Sequence, residues 1–239
     1  MSSMSIQQMN TGSLLCLLVG FALAVAPARA QTISHVPLFT FNGDSIFDRF
    51  GTSVSGAGDV NGDGVADVIV GASQDDNNGD RSGSARVLSG ADGSVLYNFD
   101  GDSSRFGILF GNSVSGAGDV NGDGFADLFV GAVSDDSNGQ NSGSARVLSG
   151  ADGSVLYDFD GDTGDSFGIS ISDAGDLNGD GFADLIVGAP SSDDDGDRNG
   201  FARVFSGVDG SVLYTFNGDS LVDLFGDSCL LYTSPSPRD

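Results

Sequence analysis

The chain has 239 residues and a formal net charge of −25. All 34 acidic residues are Asp and all nine basic ones are Arg, which argues against nucleic acid and anionic lipid as partners, since both are held by basic patches. With neither Glu nor Lys to favour helices and 38 Gly to make tight turns, the predicted fold is all-β.

Residues 1–30 read as a secretory signal peptide. Leu14 to Val25 is apolar but short for a membrane span, and it runs into Ala26-Pro27-Ala28-Arg29-Ala30, a small-residue cleavage pattern ahead of Gln31. No Lys or Arg precedes the apolar run, so an uncleaved anchor is the competing reading. Cys16 lies inside that run without the small residues a lipoprotein signal needs. Residues 31–38 form a short lead. The expected location is secreted or at the cell surface, with no membrane insertion of the mature chain.

Residues 39–228 are one repeat written three times and begun a fourth. Phe50-Gly51, Phe110-Gly111, Phe167-Gly168 and Phe225-Gly226 open the copies at intervals of 60, 57 and 58 residues. A period that long holds several strands and predicts a repeat array such as a propeller. Within the first period the predicted strands are Ser53–Gly56, Asp67–Gly71, Ser84–Leu88 and Ser94–Phe99. The Asp92-Gly93 turn suits the last hairpin. Alternation places Val95, Tyr97 and Phe99 on one face, as it does Val155, Tyr157 and Phe159. Four antiparallel strands make one blade, so the chain holds about three blades and the start of a fourth.

Between the first two strands of each copy stands a nine-residue loop. The copies are Asp59-Val-Asn61-Gly-Asp63-Gly64-Val65-Ala-Asp67, Asp119-Val-Asn121-Gly-Asp123-Gly124-Phe125-Ala-Asp127 and Asp176-Leu-Asn178-Gly-Asp180-Gly181-Phe182-Ala-Asp184. Oxygen-bearing side chains at positions 1, 3, 5 and 9 with glycine at position 6 are what Ca²⁺ needs when a short turn is to wrap it. An EF-hand is excluded, because Val68-Ile69-Val70 and its counterparts are strand-like where a helix would be required. The bland alternative is an Asp-Asn-Gly turn with no metal; three copies with one ligand spacing favour Ca²⁺. Mg²⁺ is disfavoured by its tighter octahedron.

Other charged positions carry less. Asp75-Asp76, Asp135-Asp136 and Asp193-Asp194-Asp195 occupy the loop after the second strand and are expected to be solvated. Arg86, Arg146 and Arg203 recur in the third strand and are expected to pair with Asp of an adjacent blade.

Residues 229–239 interrupt the repeat. The string Cys229-Leu-Leu-Tyr-Thr-Ser-Pro-Ser-Pro-Arg-Asp239 resembles the translation of a transposon-type sequencing adaptor and is read as a library artefact, the alternative being a genuine Pro/Ser-rich tail. On this reading the gene continues past Ser228. Both cysteines then leave the mature repeats, and no disulfide is expected.

The order Phe-Gly, Asp-x-Asn-x-Asp-Gly-x-x-Asp and Gly188-Ala189-Pro190 resembles the FG-GAP repeat of integrin α-chain β-propellers and of many secreted bacterial proteins. Two copies have Gly71-Ala72-Ser73 and Gly131-Ala132-Val133 in place of the last element. The resemblance implies a seven-bladed propeller with Ca²⁺ in loops on one rim, and about one ion per repeat, three here. The first ion would be held by Asp59, Asn61, Asp63, Asp67 and the Val65 carbonyl. The second would take Asp119, Asn121, Asp123, Asp127 and the Phe125 carbonyl, and the third Asp176, Asn178, Asp180, Asp184 and the Phe182 carbonyl.

Catalysis has no visible constellation. His35 is the sole histidine and stands in the lead, and no Ser/His/Asp or zinc-type cluster can be assembled. The expected function is a non-enzymatic adhesion or interaction module for an extracellular protein or carbohydrate. The alternative is the accessory propeller of a secreted hydrolase whose catalytic domain lies further along the chain.

Overall fold

The computed structural model describes residues 38–102, 107–192, 199–220 and 223–229. The expectations placed on residues 1–30, on residues 31–37 and on the adaptor-like string after Cys229 lie outside them, as do Asp193, Asp194 and Asp195.

Twelve strands are present among the described residues. The first sheet holds β1 (Phe50–Gly58), β2 (Asp67–Ala72), β3 (Ser84–Leu88) and β4 (Val95–Asp100). The second holds β5 (Phe110–Gly118), β6 (Asp127–Ala132), β7 (Ser144–Leu148) and β8 (Val155–Asp160). The third holds β9 (Ser170–Gly175), β10 (Asp184–Ala189), β11 (Phe201–Phe205) and β12 (Val212–Asn217). Each sheet is a meander whose strands pair antiparallel with their sequence neighbours. Three four-stranded sheets of this kind are propeller blades.

The blades stack face to face, and period-2 alternation decides which side chain faces which neighbour. In β6, Leu128 and Val130 join Ile69 and Val87 of the first blade in one core, while Phe129 between them joins Ile171, Leu185 and Val187 of the third blade in another. A strand buried on both faces must be apolar throughout, which is why the second strands read as unbroken runs. All six residues of β6 and of β10 are buried.

The repeat's signature glycines mark where blades touch. A Cβ on Gly71 would stand 2.0 Å from the Gly111 carbonyl oxygen, and one on Gly131 would stand 2.2 Å from that of Gly168. The Phe-Gly of one blade therefore lies directly on the Gly-Ala of the blade before it. Phe110 and Phe167 fasten this contact by donating their N–H to the carbonyls of Ser82 and Ser142.

Outer strands contribute a second link. The Tyr97 hydroxyl donates to the Gly150 carbonyl at 2.9 Å, and Tyr157 donates to the Val208 carbonyl at 2.8 Å. Burial, reinforced by the charge of Asp209 and then of Asp127, raises the Tyr157 pKa above its usual 10.0. The neutral phenol is thus favoured in the folded state. Stability from it is full below pH ~10 and falls as pH rises through the folded value. Tyr157→Phe is expected to cost about 1 kcal/mol at pH 8 and to flatten that alkaline decline, as read from urea unfolding at pH 8 and pH 11. An identical alkaline slope in the variant would show that another group is responsible.

Two readings of the strands need correction. β1 begins at Phe50, not Ser53, because a bulge between Phe50 and Ser53 lets the strand continue through Gly51 at φ 89°. Val95 does not share a face with Tyr97 and Phe99. Val87 pairs with Tyr97 but Leu88 pairs with Val95, so Leu96 is the extra residue of a bulge and packs on the core while Val95 is exposed. Val155 is displaced in the same way.

Candidate metal centre

Each loop of nine leaves the first strand of its blade and enters the second. A common core of hydrogen bonds recurs in all three copies, to which the second and third add a bond from the Gly122 and Gly179 N–H to Asp119 and Asp176. In the first, Asp59 accepts the N–H of Asp63 on one oxygen and of Gly64 on the other, at 3.0 and 2.8 Å. The Asn61 side chain accepts the Asp63 N–H and donates its amide to the Asp63 carboxylate, both at 3.0 Å. Asp63 accepts the N–H of Val65 at 2.8 Å. The loop is a chain of side-chain-to-backbone turns, which Asp and Asn form more readily than other residues. Gly62 and Gly64 take φ of 74° and 84°, a region where a Cβ is strained.

Position 9 differs from the rest. Asp67, Asp127 and Asp184 are buried, at 1 %, 0 % and 0 % exposure, whereas Asn61 and Asp63 and their counterparts stand exposed. Each position-9 carboxylate ties two distant backbone segments together. Asp127 accepts the Val120 N–H at 2.9 Å and the Gly150 N–H at 3.0 Å, bridging the loop to the turn between β7 and β8. Asp67 does the same with Val60 and Gly90, and Asp184 with Leu177 and Gly207. Burial pushes the Asp127 pKa up, the two N–H donors pull it down, and the charges of Asp123 and Asp119 push it up further. Three carboxylates of one loop thus repel one another across a short distance.

Neighbouring loops touch. The Phe125 ring packs on Gly62, where a Cβ would lie 2.9 Å from it, and the Phe182 ring packs on Gly122 in the same way. Val60 and Val120 are buried beneath the next blade, while Leu177, which no described blade covers, is 43 % exposed. The three loops therefore line one rim of the stacked blades, as the repeat reading expected.

Among the described residues no group of three His, Cys, Asp or Glu side chains is gathered closely enough to hold a metal. The donor chemistry nonetheless fits a hard divalent cation. Every candidate ligand is an oxygen, and each carboxylate oxygen that accepts one N–H retains a second lone pair. A bound cation would offset the carboxylate charges that add to the effect of burial in raising Asp127. The residues that would hold it are those at positions 1, 3, 5 and 9 with the position-7 carbonyl. Asp127 and its equivalents would act through their second lone pairs while keeping their backbone partners.

The acidic loop after the second strand is only half solvated: Asp76 and Asp136 are exposed as expected, but Asp75 and Asp135 are not. Asp75 and Asp135 are 3 % and 8 % exposed. Asp75 accepts the Ser84 hydroxyl at 2.6 Å and the Asn77 N–H at 2.8 Å; Asp135 accepts the Ser144 hydroxyl at 2.9 Å and the Ser137 N–H at 2.9 Å. The signal was the Asp-to-Ser spacing that both copies share. The third copy has Ser192 and Phe201 at the matching positions, and the Ser192 Oγ is buried with no partner among the described residues.

Arg146 also differs from expectation. Arg146 pairs at 2.8 Å with Asp158, on the adjacent strand of its own blade. Arg86 pairs at 2.7 Å with Asp44, which precedes β1. Adjacent antiparallel strands bring such residues opposite one another, so the near neighbour is reached first. Their guanidinium groups also stand over Phe50 and Phe110, at 5.2 and 6.0 Å from the ring centres.

Stacked four-stranded blades with Asp-rich loops on one rim define a propeller-type repeat protein. The FG-GAP repeat family model matches residues 50–88, 110–148 and 168–205. The chain carries three FG-GAP repeats and is a distant homologue of integrin α-chains. It is 31 % identical over 180 residues to integrin alpha-6 of Gallus gallus, an alignment covering 68 % of this chain and 15 % of that one. Against integrin alpha-5 of Xenopus laevis it is 34 % identical over 176 residues, covering 64 % and 16 %. The chain thus spans about a sixth of the curated relatives it matches. A rhamnogalacturonan lyase crystal structure aligns with a TM-score of 0.43 at 17 % identity, covering 69 % of this chain and 34 % of that one.

Proposed function

We propose that this chain is a calcium-stabilised propeller module of a secreted or cell-surface protein, non-enzymatic and used for adhesion to a protein or carbohydrate partner. One observation carries the reading: the same all-oxygen loop, closed by the same buried carboxylate, is built three times on a shared core of hydrogen bonds. A turn that only reverses the chain needs neither three acids nor a buried one. The ion's work would be structural, offsetting two of each loop's three negative charges and fixing the rim. Sites of this kind in extracellular modules bind at about 10⁻⁴–10⁻³ M, matched to millimolar calcium.

Adding 2 mM Ca²⁺ to chelated protein is expected to stabilise it by about 0.6–1.8 kcal/mol per loop, or about 2–5 kcal/mol for three. Calorimetric melting with chelator, Ca²⁺ and Mg²⁺ checks this. Equal melting temperatures in all three would remove calcium from the function. The homology to integrin α-chains supports an extracellular binding role.

A further inference from the structure

We propose that Asn61 is a spontaneous modification site, singled out by the fold from eight Asn-Gly pairs for conversion to an aspartyl or isoaspartyl residue. The reaction consumes only water. The Gly62 backbone nitrogen loses its proton and attacks the Asn61 side-chain carbonyl carbon. The new N–Cγ bond closes a succinimide ring, and the Cγ–Nδ2 bond breaks to release ammonia. Water then opens the ring at either carbonyl, leaving an ordinary or an isomerised acid in the main chain. Glycine permits the attack because no Cβ shields the nitrogen.

Two conditions decide which pair reacts. The attacking nitrogen must shed its proton, so a hydrogen bond from that N–H to an acceptor slows the step, most of all when the acceptor is a carboxylate. In the second and third loops the Gly122 and Gly179 N–H groups donate to Asp119 and Asp176, each at 2.7 Å. Gly79, Gly139, Gly200 and Gly218 donate to the carbonyls of Asp76, Asp136, Ser192 and Gly200. Of the eight glycines, only Gly43 and Gly62 have an N–H with no acceptor among the described residues. Asp59 takes the N–H groups of Asp63 and Gly64 but not that of Gly62.

The attacked carbonyl must also be made electrophilic. The Asn61 Oδ1 accepts the Asp63 N–H at 3.0 Å, a fixed donor placed where negative charge collects as the nitrogen adds. Asn121 and Asn178 accept the equivalent bond, but the nitrogens that would attack them are held. Asn42 accepts none among the described residues. A free nucleophile and a polarised carbonyl therefore coincide at Asn61.

Packing and sequence leave this difference standing. The first and second loops open with the same six residues, Asp-Val-Asn-Gly-Asp-Gly, and both asparagines are exposed. Each following glycine lies against a phenylalanine ring of the next loop, with a Cβ position 2.9 Å from it. The hydrogen bond on the attacking nitrogen is what separates them. The product would place a fourth negative charge beside Asp59, Asp63 and Asp67. Its isoaspartyl form also inserts a methylene into the main chain ahead of Gly62, where the loop meets Phe125 of the second blade.

Peptide mapping by mass spectrometry of protein aged at pH 8, folded and in urea, tests this; chelator throughout keeps the outcome independent of any metal. In the folded protein Asn61 is expected to deamidate roughly tenfold faster than Asn121 and Asn178, about what one charge-assisted hydrogen bond is worth. In urea Asn61 and Asn121 should react alike, since their flanking residues are identical. Asp119→Asn, which removes the acceptor's charge, is expected to bring Asn121 toward the Asn61 rate and leave Asn178 unchanged. If that variant unfolds, the unmutated comparison decides alone. Equal folded-state rates at Asn61 and Asn121, or a faster reaction at Asn42, would overturn the proposal.

Discussion

Asp127→Ala is expected to destabilise the chelated, calcium-free protein by about 2–6 kcal/mol, from two stranded backbone donors at roughly 1–3 kcal/mol each. Among the described residues the Val120 and Gly150 N–H groups have no other acceptor, and the Asp127 side chain is closed to water at 0 % exposure. Against a typical domain stability of about 5–15 kcal/mol this is enough to unfold much of the second blade. Asp127→Asn, which keeps one good acceptor, is expected to lose less. Asp123→Ala separates the loop's own architecture from its metal. Asp123 accepts only the Phe125 N–H and an Asn121 amide hydrogen, in an exposed loop, so its loss is expected to cost about 1 kcal/mol or less in chelator. In Ca²⁺ the same variant should forfeit one loop's share of the stabilisation. Urea unfolding of the three variants with and without Ca²⁺ decides the matter. If Asp123→Ala behaves alike in both conditions, the loops are hydrogen-bonded turns and nothing more.

The sequence made the loops, the second and third strands and the blade count legible because those features depend on local pattern. Three matched copies of Asp-x-Asn-x-Asp-Gly-x-x-Asp announce one structure, and an apolar run closed by Gly71, Gly131 or Gly188 announces a strand buried on both faces. The bulges were not legible. Gly51 and Thr52 add two residues to β1 and Leu96 adds one to β4 without any local signal, so simple alternation puts Val95 on the face that Tyr97 and Phe99 occupy. Asp75 and Asp135 were missed because a charged residue in a polar loop is usually solvated, and their burial depends on a hydroxyl nine residues away. The second duty of Asp127 was hidden for a similar reason. Metal-type spacing explains the carboxylate so fully that nothing local hints at Gly150, which reaches it only when the sheet has formed.

Gly131→Ala is expected to cost about 3 kcal/mol or more, although it adds a single methyl group. The new Cβ would stand 2.2 Å from the Gly168 carbonyl oxygen and 3.2 Å from the Gly168 carbonyl carbon. Both are backbone, so no rotamer change relieves the clash, and the third blade must slide off the second. That slide would disturb the Phe167 N–H bond to Ser142 and the packing of Phe129 on Ile171 and Leu185. Gly56→Ala supplies the contrast. Nothing lies within 4 Å of its Cβ position and its φ is not positive, so the alanine is expected to be neutral or to stabilise by about 0.4–1 kcal/mol through the unfolded chain. One methyl is thus predicted to act in opposite directions at two glycines of one repeat, depending only on whether a neighbouring blade faces it. Urea midpoints measure both. A Gly131→Ala midpoint within about 0.5 kcal/mol of the parent would mean that the blades have room to part. The close approach of their backbones would then not be what requires glycine in the Phe-Gly and Gly-Ala elements.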